Sequence, residues 1–180
     1  IDGVAPYFRM AYTKELGAQN FMIGGSYLDI KALPMNSEGT GTDFNSSYTE
    51  FRDATIDGQY QYLLSPHTVT ASARYVHESV SDKTNSYTGP MRLNTFHTKI
   101  SYVYRSKFGA AISYATSSGK IDSSGVDSNN FIKWNPEAFW MPNQYIRIGL
   151  MYNYFSKFQG LKGDDATANN NLYAYGFIAY

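Results

Sequence analysis

The chain has 180 residues, 15 basic and 15 acidic side chains, a formal net charge of +0 and no cysteine. Balanced charge gives no electrostatic reason to expect nucleic acid as a partner, and without cysteine these residues hold no disulfide, zinc thiolate, thiol nucleophile or CxxCH haem attachment. Mean hydropathy is -0.40 and no run of about 18 apolar residues occurs, so no membrane-spanning helix is expected.

The aromatic load points elsewhere. With 17 tyrosines, 11 phenylalanines and 2 tryptophans in a mildly polar chain, the composition suits strands with one face in lipid and aromatic girdles at the two interfaces. In chain order, strands are expected near 4–13, 20–29, 48–62, 68–79, 94–105, 108–117, 131–140, 144–156 and 171–180. In residues 53–62, Ala54, Ile56, Gly58, Tyr60 and Tyr62 alternate with Asp53, Thr55, Asp57, Gln59 and Gln61, a period of two that a helix cannot present as one face. The same alternation sets Val69, Ala71, Ala73 and Tyr75 against Thr68, Thr70, Ser72 and Arg74, and Phe96, Ile100, Tyr102 and Tyr104 against His97, Lys99, Ser101 and Arg105. Further on, Ile146, Ile148, Leu150, Tyr152 and Tyr154 oppose Arg147 and Asn153. Strands of about ten residues suit a tilted bilayer crossing, whereas soluble strands are usually near five or six.

The links alternate too. KELGAQ, LLSPH, RSK and MPN are short turns, while 30–47, 80–93, 118–130 and 157–170 are long and rich in Ser, Asn, Asp, Thr and Gly. Short turns on one side and long polar loops on the other are how outer-membrane barrels are built. The last strand alternates Leu172, Ala174, Gly176, Ile178 and Tyr180 with Tyr173, Tyr175, Phe177 and Ala179. It resembles the terminal strand of bacterial outer-membrane barrels, which ends on an aromatic, usually phenylalanine, and is read by the assembly machinery. The expected fold is an all-β, transmembrane, antiparallel up-and-down β-barrel over residues 1–180. It lies in the bacterial outer membrane, with the lipid bilayer and the assembly machinery as partners.

Nine strands is an odd number, while bacterial single-chain barrels have even counts. The expectation is therefore the C-terminal portion of a larger barrel. The sequence opens on Ile1, which fits a removed targeting segment or a start inside a longer protein. The segment FIKWNPEAFW is the least regular strand, because Pro136 cannot donate to a ladder. Were it a loop, the count would be eight and a small closed barrel would fit, but the side alternation would then fail at the next link.

A narrower resemblance follows from NPEAFWMPNQYIRIGLMYNYFSKFQG and NNNLYAYGFIAY. Over roughly the last 45 residues these resemble bacterial outer-membrane proteins that fuse a small haem domain to a porin-like barrel. The matching residues are Asn143, Tyr145, Arg147, Gly149, Leu150, Tyr152, Lys157, Phe158, Gly160, Asn170, Asn171, Leu172, Tyr173 and Tyr175. The resemblance implies a conduit sheltering a haem domain for electron transfer across the outer membrane. The haem, or a c-type cytochrome domain or subunit, would sit on residues outside this chain, so no cofactor is expected within it.

Within the chain, His67, His77 and His97 have no converging ligands in their spacing and read as structural, so no metal site is expected. His97 and Ser101 share a strand face but have no recognisable orienting acid, and no enzymatic activity is expected. The loops NSEGTGTDFNSS and SSGKIDSSGVDSNN lack a D-x-D-x-D-G with a following Glu and read as flexible outer loops rather than calcium sites. Lys31 and Arg92 fall in loops on this reading and are solvated. Trp134, Trp140, Tyr60, Tyr62, Tyr102 and Tyr104 read as interfacial girdle residues rather than a sugar platform.

Charges on the lipid face cost about 2–4 kcal/mol near the midplane, so alternation assigns Arg9, Asp53, Asp57, Gln59, Arg74, Glu78, Lys99, Arg105, Lys133, Glu137 and Arg147 to the lumen. The function expected is a porin-like barrel with a polar-lined channel of mixed charge and weak ion selectivity. The alternatives are a structural or interaction barrel without an open pore and, more distantly, a soluble β-sandwich or ligand-binding barrel.

Overall fold

In the computed structural model, residues 3–34, 47–83, 91–120 and 130–179 are described. The strands are β1 (Tyr7–Leu16), β2 (Gln19–Ala32), β3 (Thr49–Leu64), β4 (His67–Asp82), β5 (Arg92–Tyr104), β6 (Phe108–Lys120), β7 (Phe131–Asn143) and β8 (Ile146–Phe158). A two-residue strand β9 (Leu161–Lys162) and a short helix α1 (Asp164–Thr167) lead into β10 (Asn171–Ile178). Each long strand pairs antiparallel with its neighbour in sequence, giving one up-and-down sheet in the order β1-β2-β3-β4-β5-β6-β7-β8-β10, with β9 clipped to β8. Among the described residues β1 and β10 are not paired with each other, so the sheet is open.

Among the described residues nine long strands appear where nine were expected, most with longer bounds. β2 continues to Ala32 and β4 to Asp82, beyond the apolar alternation that marked them in sequence. Lys31 therefore lies on β2 and Arg92 begins β5, which corrects the expectation that both sit in loops. The segment 157–170, expected to be a loop, contains β9 and α1. Of the two segments read as flexible outer loops, NSEGTGTDFNSS lies outside the described residues except for Ser47, whereas SSGKIDSSGVDSNN begins on β6, which runs to Lys120, and its residues 121–129 lie outside them.

Pro136 does not break its strand. It stands opposite Ile112 of β6, and on the other side the β7–β8 ladder passes from Trp134↔Tyr154 to Glu137↔Met151 in the same register, without a ladder pair at 135 or 136. The missing N–H of proline thus falls where that ladder is already interrupted. Register shifts between Ile132 and Lys133, and between Trp140 and Asn143, mark irregularities on the same strand pair.

The register sorts side chains into two faces. On one, a cross-strand row runs Phe21, Tyr60, Ala71, Ile100, Ile112 and Pro136. The next row toward the turns runs Tyr62, Val69, Tyr102, Ala110, Ala138, Leu150 and Ala174. This apolar face is bare: Ile100 and Leu150 are each 53% exposed and Trp140 is 46% exposed. The other face holds buried residues, among them Ala111 at 8%, Asn135 at 6% and Asn153 at 7%. A sheet crowded on its polar side and open on its apolar side curls around the polar side. That is the inverse of a soluble sandwich and the arrangement of a barrel wall in lipid.

The outer aromatics form two bands. β6 carries Phe108, Ala110, Ile112 and Tyr114 outward, and β7 carries Trp140, Ala138, Pro136 and Trp134. Small or aliphatic residues between aromatic ends fit a hydrocarbon layer between two interfaces. Tyr114 and Trp134 touch at 4.6 Å between ring centroids, and Phe21 meets Tyr60 at 4.9 Å. Beyond Tyr27 and Tyr75 the outer face becomes polar. Arg52 binds Glu50 at 2.8 Å and Asp29 at 3.3 Å, and Lys31 lies 4.9 Å over the ring of Tyr48. The strands thus outrun the apolar belt on the loop side.

Candidate functional site

The concave polar face is the candidate site. The register places Arg9, Asp53, Asp57, Gln59, Arg74, Glu78, Lys99, Lys133, Glu137 and Arg147 on it together. Arg105 does not join them. It lies in the turn after β5 with φ 51, donates its backbone N–H to the Pro66 carbonyl at 2.7 Å, and holds its guanidinium 5.2 Å from the Tyr104 ring. The alternation of β5 stops at Tyr104, so Arg105 is corrected from wall to turn.

Two ion-paired groups organise the face. Near β1, Arg9 reaches across β2 to bind Asp57 of β3 at 2.8 Å. It passes over Gly24, where an added Cβ would stand 3.3 Å from the guanidinium nitrogen. At the other end, Glu137 of β7 is the hub, its side chain 7% exposed. Lys99 of β5 crosses β6 to bind it at 2.9 Å, and Arg147 of β8 and the Tyr175 hydroxyl of β10 donate to its other oxygen. Arg147 Nε also donates to the Tyr175 hydroxyl at 3.0 Å, and the guanidinium stacks 3.6 Å over the Phe139 ring. Two cations on one buried carboxylate leave this group net positive, and charge-assisted bonds of this kind are the stronger ones.

Two glycines make room for that cluster. A side chain at Gly109 would overlap the Phe139 ring, and a Cβ at Gly149 would stand 2.5 Å from Tyr175. Both rings occupy the space that a side chain at the glycine would fill, and Tyr175, so placed, reaches Glu137. Beside the cluster runs an amide ladder. Ser113 donates to Asn135 at 3.4 Å, Asn135 to Asn153, and Asn153 to Asn171 at 2.6 Å, tying β6, β7, β8 and β10. Neither Tyr175 nor this ladder was identified as functional from the sequence. Their signal was the inward parity of Asn135, Asn153 and Asn171.

The rest of the face is less paired. Asp53 stands directly opposite Glu78, and one oxygen each of Asp53 and Asp57 is buried without a hydrogen-bond partner among the described residues. Arg74 is opposite His97, and His97 is opposite Ala115, which is in turn opposite Lys133. His67 and His77 face outward: His67 Nδ1 meets the Tyr102 hydroxyl at 2.8 Å and His77 Nδ1 meets Asn94 Oδ1 at 2.7 Å. Among the described residues no cluster of His, Cys, Asp and Glu converges as metal ligands.

No protein-family model matches the sequence, and no curated protein does. A solved structure does match in fold. The outer-membrane expressed OmpT of Vibrio cholerae superimposes with a TM-score of 0.56 at 11% sequence identity, over 96% of this chain and 55% of that chain. The chain thus spans about half the length of that barrel protein, and the likeness is one of fold. It also corrects the expectation that the chain is not an enzyme. What is shared is an outer-membrane barrel fold, which carries hydrolases as well as channels, so the fold does not make this chain non-enzymatic.

Proposed function

We propose that the chain forms part of the wall of a larger bacterial outer-membrane β-barrel, whose concave polar face lines a water-filled conduit for small solutes. One observation carries the reading: ten charged or polar positions from six strands share the concave face, while the opposite face exposes aliphatic and aromatic residues between two aromatic bands. In lipid, only a closed sheet satisfies its backbone, and charges turned inward need water or partners. In a barrel wider than eight strands, side chains alone do not fill the interior, so Gln59, Arg74 and Lys133 would border water.

The test is conductance of the full-length protein in a planar lipid bilayer. Stepwise, ohmic current increments are the expected result. A correctly inserted, folded protein that passes no current would overturn the channel reading.

A further inference from the structure

The cations of the concave face are not equivalent. Arg9 is engaged by Asp57, and Lys99 and Arg147 share Glu137. Among the described residues Arg74 and Lys133 have no ion-pair partner within 4.0 Å. The two are joined by a single cross-strand row, Arg74–His97–Ala115–Lys133, running over β4, β5, β6 and β7, and on β3 the same row continues to Asp57, directly opposite Arg74. Ala115 contributes only a buried methyl, so no side chain stands between His97 and Lys133. Arg74 and His97 border an inward hollow with Met22, Gln59 and Ser72, and Asp57 at its edge is already bound to Arg9. Lys133 is held beside the Phe155 ring, its ammonium 5.9 Å from the ring centre. Lys99 sits one inward step from His97, toward the turns. The facing acids Asp53 and Glu78 lie four residues nearer the loops on the same strands as Asp57 and Arg74. At about 3.3 Å per residue that is roughly 13 Å along the wall. The charges are therefore layered: an acidic pair near the loop end, a basic row at mid-wall, and the net-positive Glu137 cluster toward the turns.

We infer that this basic row makes the conduit select small anions. The inference rests on the channel reading above and names the solute class of that same face. At mid-wall Arg9, Arg74 and Lys133 face the single carboxylate of Asp57, and a hydrated passage with such a surplus of cations concentrates anions and repels cations, the low-dielectric wall focusing the field. The acidic pair near the loops does not cancel it, because a Debye length of about 8 Å at physiological ionic strength is shorter than the separation of the two layers.

The measurement is the zero-current potential of the full-length protein in a bilayer with potassium chloride graded across it. A sign reporting chloride more permeant than potassium is expected. Lys133→Gln and Arg74→Gln should each move that potential toward zero, and the pair further, while Arg105→Ser, in the turn, should leave it in place. The glutamine variants remove charge without adding bulk, so loss of folding is not expected. Heat-modifiable migration on a gel checks it, and any variant that misfolds is replaced by Lys133→Met. A conducting pore with potassium equally or more permeant, or one whose potential ignores both substitutions, overturns the anion inference alone. An absence of conductance overturns the channel reading, and this inference with it.

Discussion

Gly149 shows how much of the concave face depends on one missing side chain. Its empty position receives the Tyr175 ring, whose hydroxyl joins Arg147 and Glu137. Alanine there puts a methyl carbon 2.5 Å from the ring. Tyr175 must lift, and the buried Glu137 carboxylate loses a donor. Gly149→Ala is expected to lower unfolding free energy by about 1–3 kcal/mol, read from urea unfolding in lipid vesicles. In a Tyr175→Ala background the same substitution should cost far less, since the two residues share one space. Equal costs in both backgrounds would show that the ring does not occupy the glycine site. At this scale the sequence was only half legible. Alternation put Glu137, Lys99 and Arg147 on one face, because inward parity is a local property. It could not show that they meet, because the meeting depends on which residue of β5 lies opposite which of β6 and β7. Nor could it show why glycine stands at 109 and 149, since the ring filling each space comes from another strand.

At the scale of elements, the wall is legible where a strand has one face in oil and illegible where it leaves the oil. The apolar alternation of β2 fades after Tyr27 because the outer positions become Asp29 and Lys31, yet the ladder continues through Lys31↔Glu50 to Ala32↔Thr49. The alternation of β5 carried on by chance into Arg105, although the chain had already turned. That turn has its own signature. Arg105 and Ser106 have φ of 51 and 54, and Lys107 donates its N–H to the Tyr104 carbonyl at 3.0 Å. Two successive left-handed residues match the tight hairpin turn that favours Asn-Gly. Neither arginine nor serine is suited to it, and each left-handed L-residue costs about 1–2 kcal/mol. Ser106→Gly is expected to stabilise the protein by roughly 0.5–1 kcal/mol after the entropic cost of glycine, raising the urea midpoint without changing its slope. A lower midpoint would mean that the hydroxyl or the strained backbone serves another contact.

At the scale of the whole molecule, direction decides what the sheet can do. Nine antiparallel strands in a row put β1 and β10 in the same sense. If those two edges met, they would form the one parallel pair in an otherwise antiparallel wall. Two copies related by an axis along the barrel meet the same obstacle, because such a rotation keeps strand direction and again sets β10 beside a parallel β1. An all-antiparallel closure therefore needs an odd number of further strands between the edges. This agrees with a chain that covers 55% of the outer-membrane barrel it resembles in fold. Open edges cannot be left in hydrocarbon, where each unpaired backbone group costs several kcal/mol. Spin labels at Ala11 of β1 and Ala174 of β10, in the protein reconstituted in lipid, make the point measurable. With even one strand between them the backbones stand about 10 Å apart, and with more strands the separation grows toward the barrel diameter. A long distance by pulsed electron resonance is expected. Labels close enough to broaden each other's spectra, as on neighbouring strands about 4.8 Å apart, would mean that β1 and β10 pair in parallel and that the nine strands close on themselves.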